Sequence, residues 1–270
     1  MPKVNIQGVS LDYQMHGKGI PLVMLQGFGG GRRGWFFQTR TFKKYYQVVT
    51  VDDEDLGERN SSRRFLTLRQ RADGIVALMD YLSIEKAHVL SVSRGGMIAQ
   101  EVAINYPDRV RKLVLGCTAA SGRDMSEPHP EMGNVLMAKN SPDFDINSID
   151  FGRTIETMIS LSFNRKLYRN TLLVLVTLAK MFVKIRARPE QLEALESFMS
   201  YTAIARLHLI KAPTLVIVGD SDRMVPPRCS EILAEKIPKA KLVKVQGGSH
   251  AFFIEMSVSF NREVLEFLRD

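Results

Sequence analysis

Apolar runs of strand length, with no polar alternation, recur along this chain, and the stretches between them carry helical periodicity. Pro21-Leu22-Val23-Met24-Leu25 is the clearest run; Gln47 to Val51, His88 to Leu90, Lys112 to Leu115, Thr214 to Val218 and Lys241 to Val245 are similar. An uninterrupted apolar run implies a strand buried on both faces, the condition of a parallel sheet covered by helices. Val4 to Ile6 and Leu11 to Met15 add an opening pair of strands joined by a turn at Gly8. Between the runs, Leu66 to Leu82 puts Leu68, Ala72, Ile75, Val76 and Met79 on one helical face. Gly95 to Tyr106 reads as a small, apolar helix stopped by Pro107, and Phe260 to Leu268 aligns Phe260, Val264, Leu265 and Leu268. The alternation predicts an α/β fold, a mainly parallel eight-stranded sheet with helices on both faces. Ligands bind such sheets beyond the carboxyl ends of the strands, which directs attention to the residues that follow each strand.

The alternation fails between residues 119 and 208. That stretch holds helical patterns and scattered Met and Phe side chains (Met132, Met137, Met158, Phe163, Met181, Phe182, Phe198, Met199) but no convincing strand. The pattern resumes at Pro213. The expected organisation is therefore one core, residues 1–118 and 209–270, carrying a helical cap or lid insertion at 119–208.

With 270 residues, 45% of them hydrophobic, the chain can bury a sizeable core. Its charged share of 24% excludes an intrinsically disordered chain. The start, Met1 to Gln7, lacks the apolar centre of a signal peptide. The longest apolar stretch, Leu172 to Ala179, is far short of the ~20 residues that span a bilayer. A cytoplasmic protein without integral membrane association is expected. Cys117 and Cys229 fit a reducing compartment, and a bridge between them stays open at this level. The net charge is +8, but the cations are dispersed (Arg32-Arg33, Lys43-Lys44, Arg63-Arg64, Lys184 to Arg186, Lys239 to Lys244) and form no basic run with interleaved aromatics. Nucleic-acid binding is not expected. No His/Asp/Glu cluster has metal-ligand spacing, so neither a metal nor another cofactor is expected.

Three segments carry the chemistry. Ser91-Val92-Ser93-Arg94-Gly95-Gly96 joins the strand His88 to Leu90 to the helix that follows. A sharp strand-to-helix turn projects the turning side chain, Ser93, at the sheet edge and demands small neighbours on either side. The competing reading is a plain helix-capping serine. The amide of Arg94, at the helix start, is suited to stabilise an oxyanion. Gly247-Gly248-Ser249-His250 follows the last strand and offers a base, because serine needs a histidine and the histidine an orienting group. His16, in an apparent turn, His88, within a strand, and His129 and His208, in the insertion or at its end, have weaker cases. Gly219-Asp220-Ser221-Asp222 supplies two carboxylates after the strand Thr214 to Val218, one to close the turn and one to reach the histidine. Asp124 is an alternative acid. The glycine-rich Gln26-Gly27-Phe28-Gly29-Gly30-Gly31 offers further amides; it lacks both Gly-Lys-Ser/Thr and a Gly-x-Gly-x-x-Gly leading into a helix, which argues against phosphate binding.

Taken together, these segments resemble the α/β-hydrolase superfamily, in particular its small esterases, enol-lactonases and cofactor-free haloperoxidase-like members. Pro21 to Gly30, with Trp35 and Gln38 after it, resembles the oxyanion loop; Ser91 to Gly96 the nucleophile elbow; Pro213 to Pro226 the acid loop; and Gly248 to Glu255 the histidine loop. The resemblance implies a Ser93–His250–Asp222 triad, an oxyanion hole from the amides of Phe28 and Arg94, and an acyl-enzyme route on a small apolar ester, lactone or related acyl substrate. C–C bond hydrolysis, peracid or haloperoxidase chemistry, and a non-catalytic binding role on the same fold are the alternatives. Three departures stand out: Gln26 where histidine is usual, Ser91 in place of glycine, and the acidic turn from Asp52 to Ser61 where Asp-x-Arg-Gly-x-Gly-x-Ser is usual.

Overall fold

A computed structural model of the chain describes residues 3–6, 9–27, 31–53, 66–125, 151–182 and 197–269. Eight strands, β1 Lys3–Ile6, β2 Val9–His16, β3 Pro21–Leu25, β4 Gln47–Asp53, β5 Ala87–Val92, β6 Val110–Gly116, β7 Thr214–Gly219 and β8 Lys241–Val245, form one sheet in the order β1-β2-β4-β3-β5-β6-β7-β8. Pairing is parallel from β4 onward, and β2 runs antiparallel to both of its neighbours. The predicted eight-stranded, mainly parallel sheet is therefore what the chain forms. Every residue of β5 and of β7 is buried, as their unbroken apolar runs require.

Strand β8 differs from expectation. Its run was read as buried on both faces like the others, yet it lies at the sheet's edge with Lys241 and Lys244 exposed. Lysines on an edge strand discourage pairing with another chain, and the Lys-Leu-Val-Lys-Val order is an edge pattern. His16 also moves: it closes β2 instead of lying in a turn.

Helices cover both faces. They are α1 Phe36–Phe42, α2 Leu68–Tyr81, α3 Arg94–Asn105, α4 Phe151–Ser162, α5 Lys166–Phe182, α6 Pro227–Lys236, α7 Phe252–Glu255 and α8 Ser257–Arg269 among the described residues. Helix α2 starts two residues later than its periodicity suggests, because Thr67 and Gln70 form a reciprocal capping box that fixes its first turn. Its predicted face, Leu68, Ala72, Ile75, Val76 and Met79, is buried against the sheet beside α3. On the opposite face Leu22 and Met24 meet Trp35 and Phe42 from the α1 region and Phe252, Phe260 and Val264 from α7 and α8. Burying each such large side chain stabilises the fold by about 1.5–3 kcal/mol.

Between β6 and β7 the described residues contribute α4, α5 and two short 3-10 turns, Arg123–Met125 and Ile204–Leu209, with an isolated bridge between Ser121 and Thr202. The sites expected at Gly8, Phe28 to Gly30, 54–65 and His129 lie outside the described residues.

Candidate active site

The Ser93 segment is built by backbone strain. Ser93 adopts φ 53° and ψ −129° between β5 and α3, a left-handed conformation that costs about 1–3 kcal/mol in a residue with a side chain. Three hydrogen bonds hold it there: the Ser93 amide donates to the Gly116 carbonyl (2.9 Å), and its own carbonyl accepts from the Gly96 amide (2.8 Å) and the Thr118 hydroxyl (2.6 Å). Packing closes around the turn. A Cβ at Gly95 would lie 2.4 Å from the Leu25 carbonyl oxygen and 2.6 Å from that of Gln26. Ser93 begins α3 without capping it through its side chain. Its hydroxyl points elsewhere.

That hydroxyl lies 3.1 Å from Nε2 of His250, whose Nδ1 lies 2.8 Å from Oδ2 of Asp222. The protonation that satisfies both contacts has Nδ1–H donating to the carboxylate and Ser93 Oγ–H donating to Nε2. Asp222 is itself fixed, its Oδ1 accepting from the amides of Met224 (2.9 Å) and Val225 (2.8 Å). The other carboxylate, Asp220, closes the turn by accepting from the Gly247 amide (2.8 Å) and the Ser221 hydroxyl (2.9 Å). The acid and histidine loops touch at Gly219 and Gly248, where a Cβ on Gly219 would come within 2.2 Å of the Gly248 carbonyl oxygen. Three residues separated widely in sequence are thus brought to one edge of the sheet, each just beyond the carboxyl end of its strand.

The remaining candidates separate cleanly. Asp124 makes none of the described contacts with His250; its carbonyl accepts from the Cys229 thiol at 3.5 Å, and burial raises its carboxyl pKa. Cys117 is a buried thiol pushed well above its ordinary pKa by burial and by Asp222, so it stays protonated. Both cysteines are free. The Arg94 guanidinium is buried, which pulls its pKa down to about 10 and leaves it charged at neutral pH. His88 is buried in β5 against the Tyr46 ring, and desolvation, with Lys112 and Arg111, lowers it to about 4. His208 sits in the 3-10 turn Ile204–Leu209.

The departures from the family pattern acquire physical roles. Gln26 braces the loop by accepting from the Gly27 amide through its side-chain oxygen (3.0 Å). Ser91 is fully buried and donates to the Val114 carbonyl (2.8 Å), so the small polar residue is absorbed by the neighbouring strand. Asp52 accepts from the Arg32 amide and pairs with its guanidinium at 2.8 Å. Gln38 donates to the Phe253 carbonyl (2.6 Å) and to Asn261 (3.1 Å), tying α1 to the helices that follow His250.

Sequence reading overlooked Thr118, Ser249 and Glu255. Glu255 had a visible signal: it is an acid placed immediately after the apolar run Ala251-Phe252-Phe253-Ile254. Among the described residues, no group of three His, Cys, Asp or Glu is placed to hold a metal, and no helix is long and apolar enough to cross a membrane.

The family model for the alpha/beta hydrolase fold matches residues 20–256 of the chain. This chain belongs to the α/β-hydrolase family. It is an enzyme of that family, as its resemblance implied. The 2-hydroxy-6-oxononadienedioate/2-hydroxy-6-oxononatrienedioate hydrolase of Burkholderia vietnamiensis is 32% identical to it over 92% of this chain and 86% of that one. The solved structure of Est816, an N-acyl homoserine lactone degrading enzyme, is similar with a TM-score of 0.81 and 25% identity, covering 98% of this chain and 100% of that chain. The enol-lactonase from Burkholderia xenovorans LB400 has the same fold, with a TM-score of 0.81 and 21% identity over the full length of both chains.

Proposed function

We propose that this α/β-hydrolase cleaves an ester, lactone or related acyl substrate through a Ser93–His250–Asp222 triad. The observation that carries the reading is the unbroken relay from Ser93 Oγ to His250 Nε2 (3.1 Å) and from His250 Nδ1 to Asp222 Oδ2 (2.8 Å). Ser93 attacks the substrate carbonyl as its proton passes to Nε2; Asp222 stabilises the imidazolium; His250 returns the proton to the leaving group, and water then opens the acyl-enzyme by the same steps reversed. The Arg94 amide, in the first turn of α3 where no helical acceptor exists, donates to the oxyanion, a donor of this kind being worth about 3–4 kcal/mol of barrier; the second donor expected, the amide of Phe28, lies outside the described residues.

The described part of the 119–208 insertion, α4 and α5 above all, acts as the cap over this edge. Met158 and Leu161 of α4 are partly buried against the apolar core, which supports a cap seated on it. Two free, buried thiols support a cytoplasmic setting. Hydrolysis of a C–C bond by the same residues is the second reading, favoured by the dienedioate hydrolase at 32% identity.

The test compares hydrolysis of short p-nitrophenyl esters by the wild type and Ser93→Ala. The substitution should abolish turnover and labelling by a fluorophosphonate probe while leaving the fold intact; equal rates would reject the assignment. Lactone and dienone substrates run on the same pair separate the two readings.

A further inference from the structure

His250 follows a pair of glycines in the loop after β8. Gly247, at φ 69°, and Gly248 lie three and two residues before it, and the histidine ring has only Asp222 and the Ser93 hydroxyl as described partners. Something after the glycines must fix the loop. We infer that Glu255 is a positioning residue for His250, latching the loop that carries the base to the corner between α4 and α5. The inference rests on the hydrolase reading above.

Glu255 is only 5% exposed. A carboxylate so placed is costly unless its lone pairs are engaged, and three donors converge on it. The hydroxyl of Ser249, the residue immediately before His250, donates to Oε2. The Asn164 amide also donates to Oε2 (3.3 Å), and the Arg165 amide donates to Oε1 (2.6 Å). Asn164 and Arg165 form the short connection between Ser162, where α4 ends, and Lys166, where α5 begins.

Two further bonds run to the same corner. The amide of Ala251, on the other side of His250, donates to the Ser162 carbonyl (2.9 Å), and Arg223, next to Asp222, donates from Nη2 to the Ser160 carbonyl (2.5 Å). Both neighbours of the histidine and one neighbour of the aspartate are therefore tied to residues 160–165 of the insertion. Hydrogen bonds to a charged partner are roughly twice as strong as neutral ones, and Glu255 gathers three onto one side chain. The position of the α4–α5 corner is transmitted through Ser249 to the imidazole. Misplacing a reacting group by about 1 Å costs on the order of a hundredfold in rate.

The experiment compares Glu255→Ala, Glu255→Gln and Ser249→Ala with the wild type. It reads kcat and KM on p-nitrophenyl butyrate, the fraction labelled by fluorophosphonate, the melting temperature, and the downfield 1H NMR signal of the proton between His250 and Asp222. Glu255→Ala should lower kcat per labelled site by about tenfold to a hundredfold with KM within about twofold, and should shift and broaden the shared-proton signal. Glu255→Gln, which keeps one acceptor oxygen, should recover part of the loss, and Ser249→Ala should lie between. A residue that merely stabilises the fold would lower the melting temperature and the labelled fraction yet leave kcat per labelled site and the proton signal unchanged; that result overturns the inference. Should Glu255→Ala fail to fold, the Gln and Ser249 variants decide by the same criteria. A wild type that neither hydrolyses nor labels would sink the hydrolase reading instead, and the latch would then stand or fall on the proton signal alone.

Discussion

The two sides of the candidate site are held by different physics. Ser93 is held chiefly by shape, besides its three backbone hydrogen bonds: a strained left-handed turn, with backbone so close at Gly95 that a single methyl group would meet the Leu25 and Gln26 carbonyls at 2.4 and 2.6 Å. His250 is held by polar bonds: Asp222 on its ring, Asp220 on Gly247, and Glu255 through Ser249. Shape fails all at once, because packed atoms cannot share space. A polar frame fails in steps, since each bond is worth only about 0.5–1.5 kcal/mol net, or up to ~3 where a charge takes part. Substitutions in the packing around Ser93 should therefore cost stability, and those in the polar frame of His250 should cost rate in a folded protein.

The largest effect expected on the base side comes from Asp222→Asn. The amide oxygen can still accept from Met224 and Val225, replacing Oδ1 in those bonds. Its NH2 group then faces Nδ1 of His250 and favours the tautomer protonated at Nε2, which cannot take the Ser93 proton. The same exchange in a serine protease lowers kcat by about 10⁴-fold, and a loss of that order is expected here with little change in urea midpoint. Asp124→Asn should leave kcat unchanged, its carboxylate having none of the described contacts with the ring. Steady-state ester hydrolysis decides between them, and equal losses in the two variants would remove Asp222 from its role.

On the nucleophile side the corresponding break is Gly95→Ala. The clash is with backbone carbonyls of β3 and the loop after it, so no side-chain rotation relieves it. Overpacking of this kind costs about 3 kcal/mol. The urea midpoint should fall accordingly, and fluorophosphonate labelling should decline in step with the folded fraction. A variant as stable as the wild type but inactive would mean that the elbow, too, is tuned for rate and not only for shape.

How legible each side was follows from the same distinction. Shape constraints leave a local trace: small residues flanking Ser93 and apolar runs before each turn were readable as a strand, an elbow and a helix. Asp222 and His250 were readable from their places after strands, and the order serine, acid, histidine tied them together. The polar frame was less visible, because its partners come from distant segments. Thr118 meets Ser93 across 25 residues and Arg165 meets Glu255 across 90, and no local pattern encodes such pairings. Strand β8 misled for a related reason: an apolar run reports that side chains pack, while a position at the sheet's edge depends on what the rest of the chain leaves uncovered.

Ser91 gives the finest division between the two kinds of support, because it sits in the shape-held elbow yet makes a polar bond. Its hydroxyl, fully buried, donates to the Val114 carbonyl at 2.8 Å on the neighbouring strand, away from the Ser93–His250 contact. Ser91→Gly restores the residue usual in the family and removes that bond, at about 1 kcal/mol. It also frees backbone in the unfolded chain, adding about 0.5–1 kcal/mol more. No larger side chain is introduced, so the turn still closes. A drop in urea-derived stability of about 1–2 kcal/mol, with kcat unchanged within error, is expected if Ser91 serves only the join between β5 and β6. Loss of kcat beyond what the folded fraction explains would show that this bond reaches the nucleophile, and that polar support extends into the side of the site held by shape.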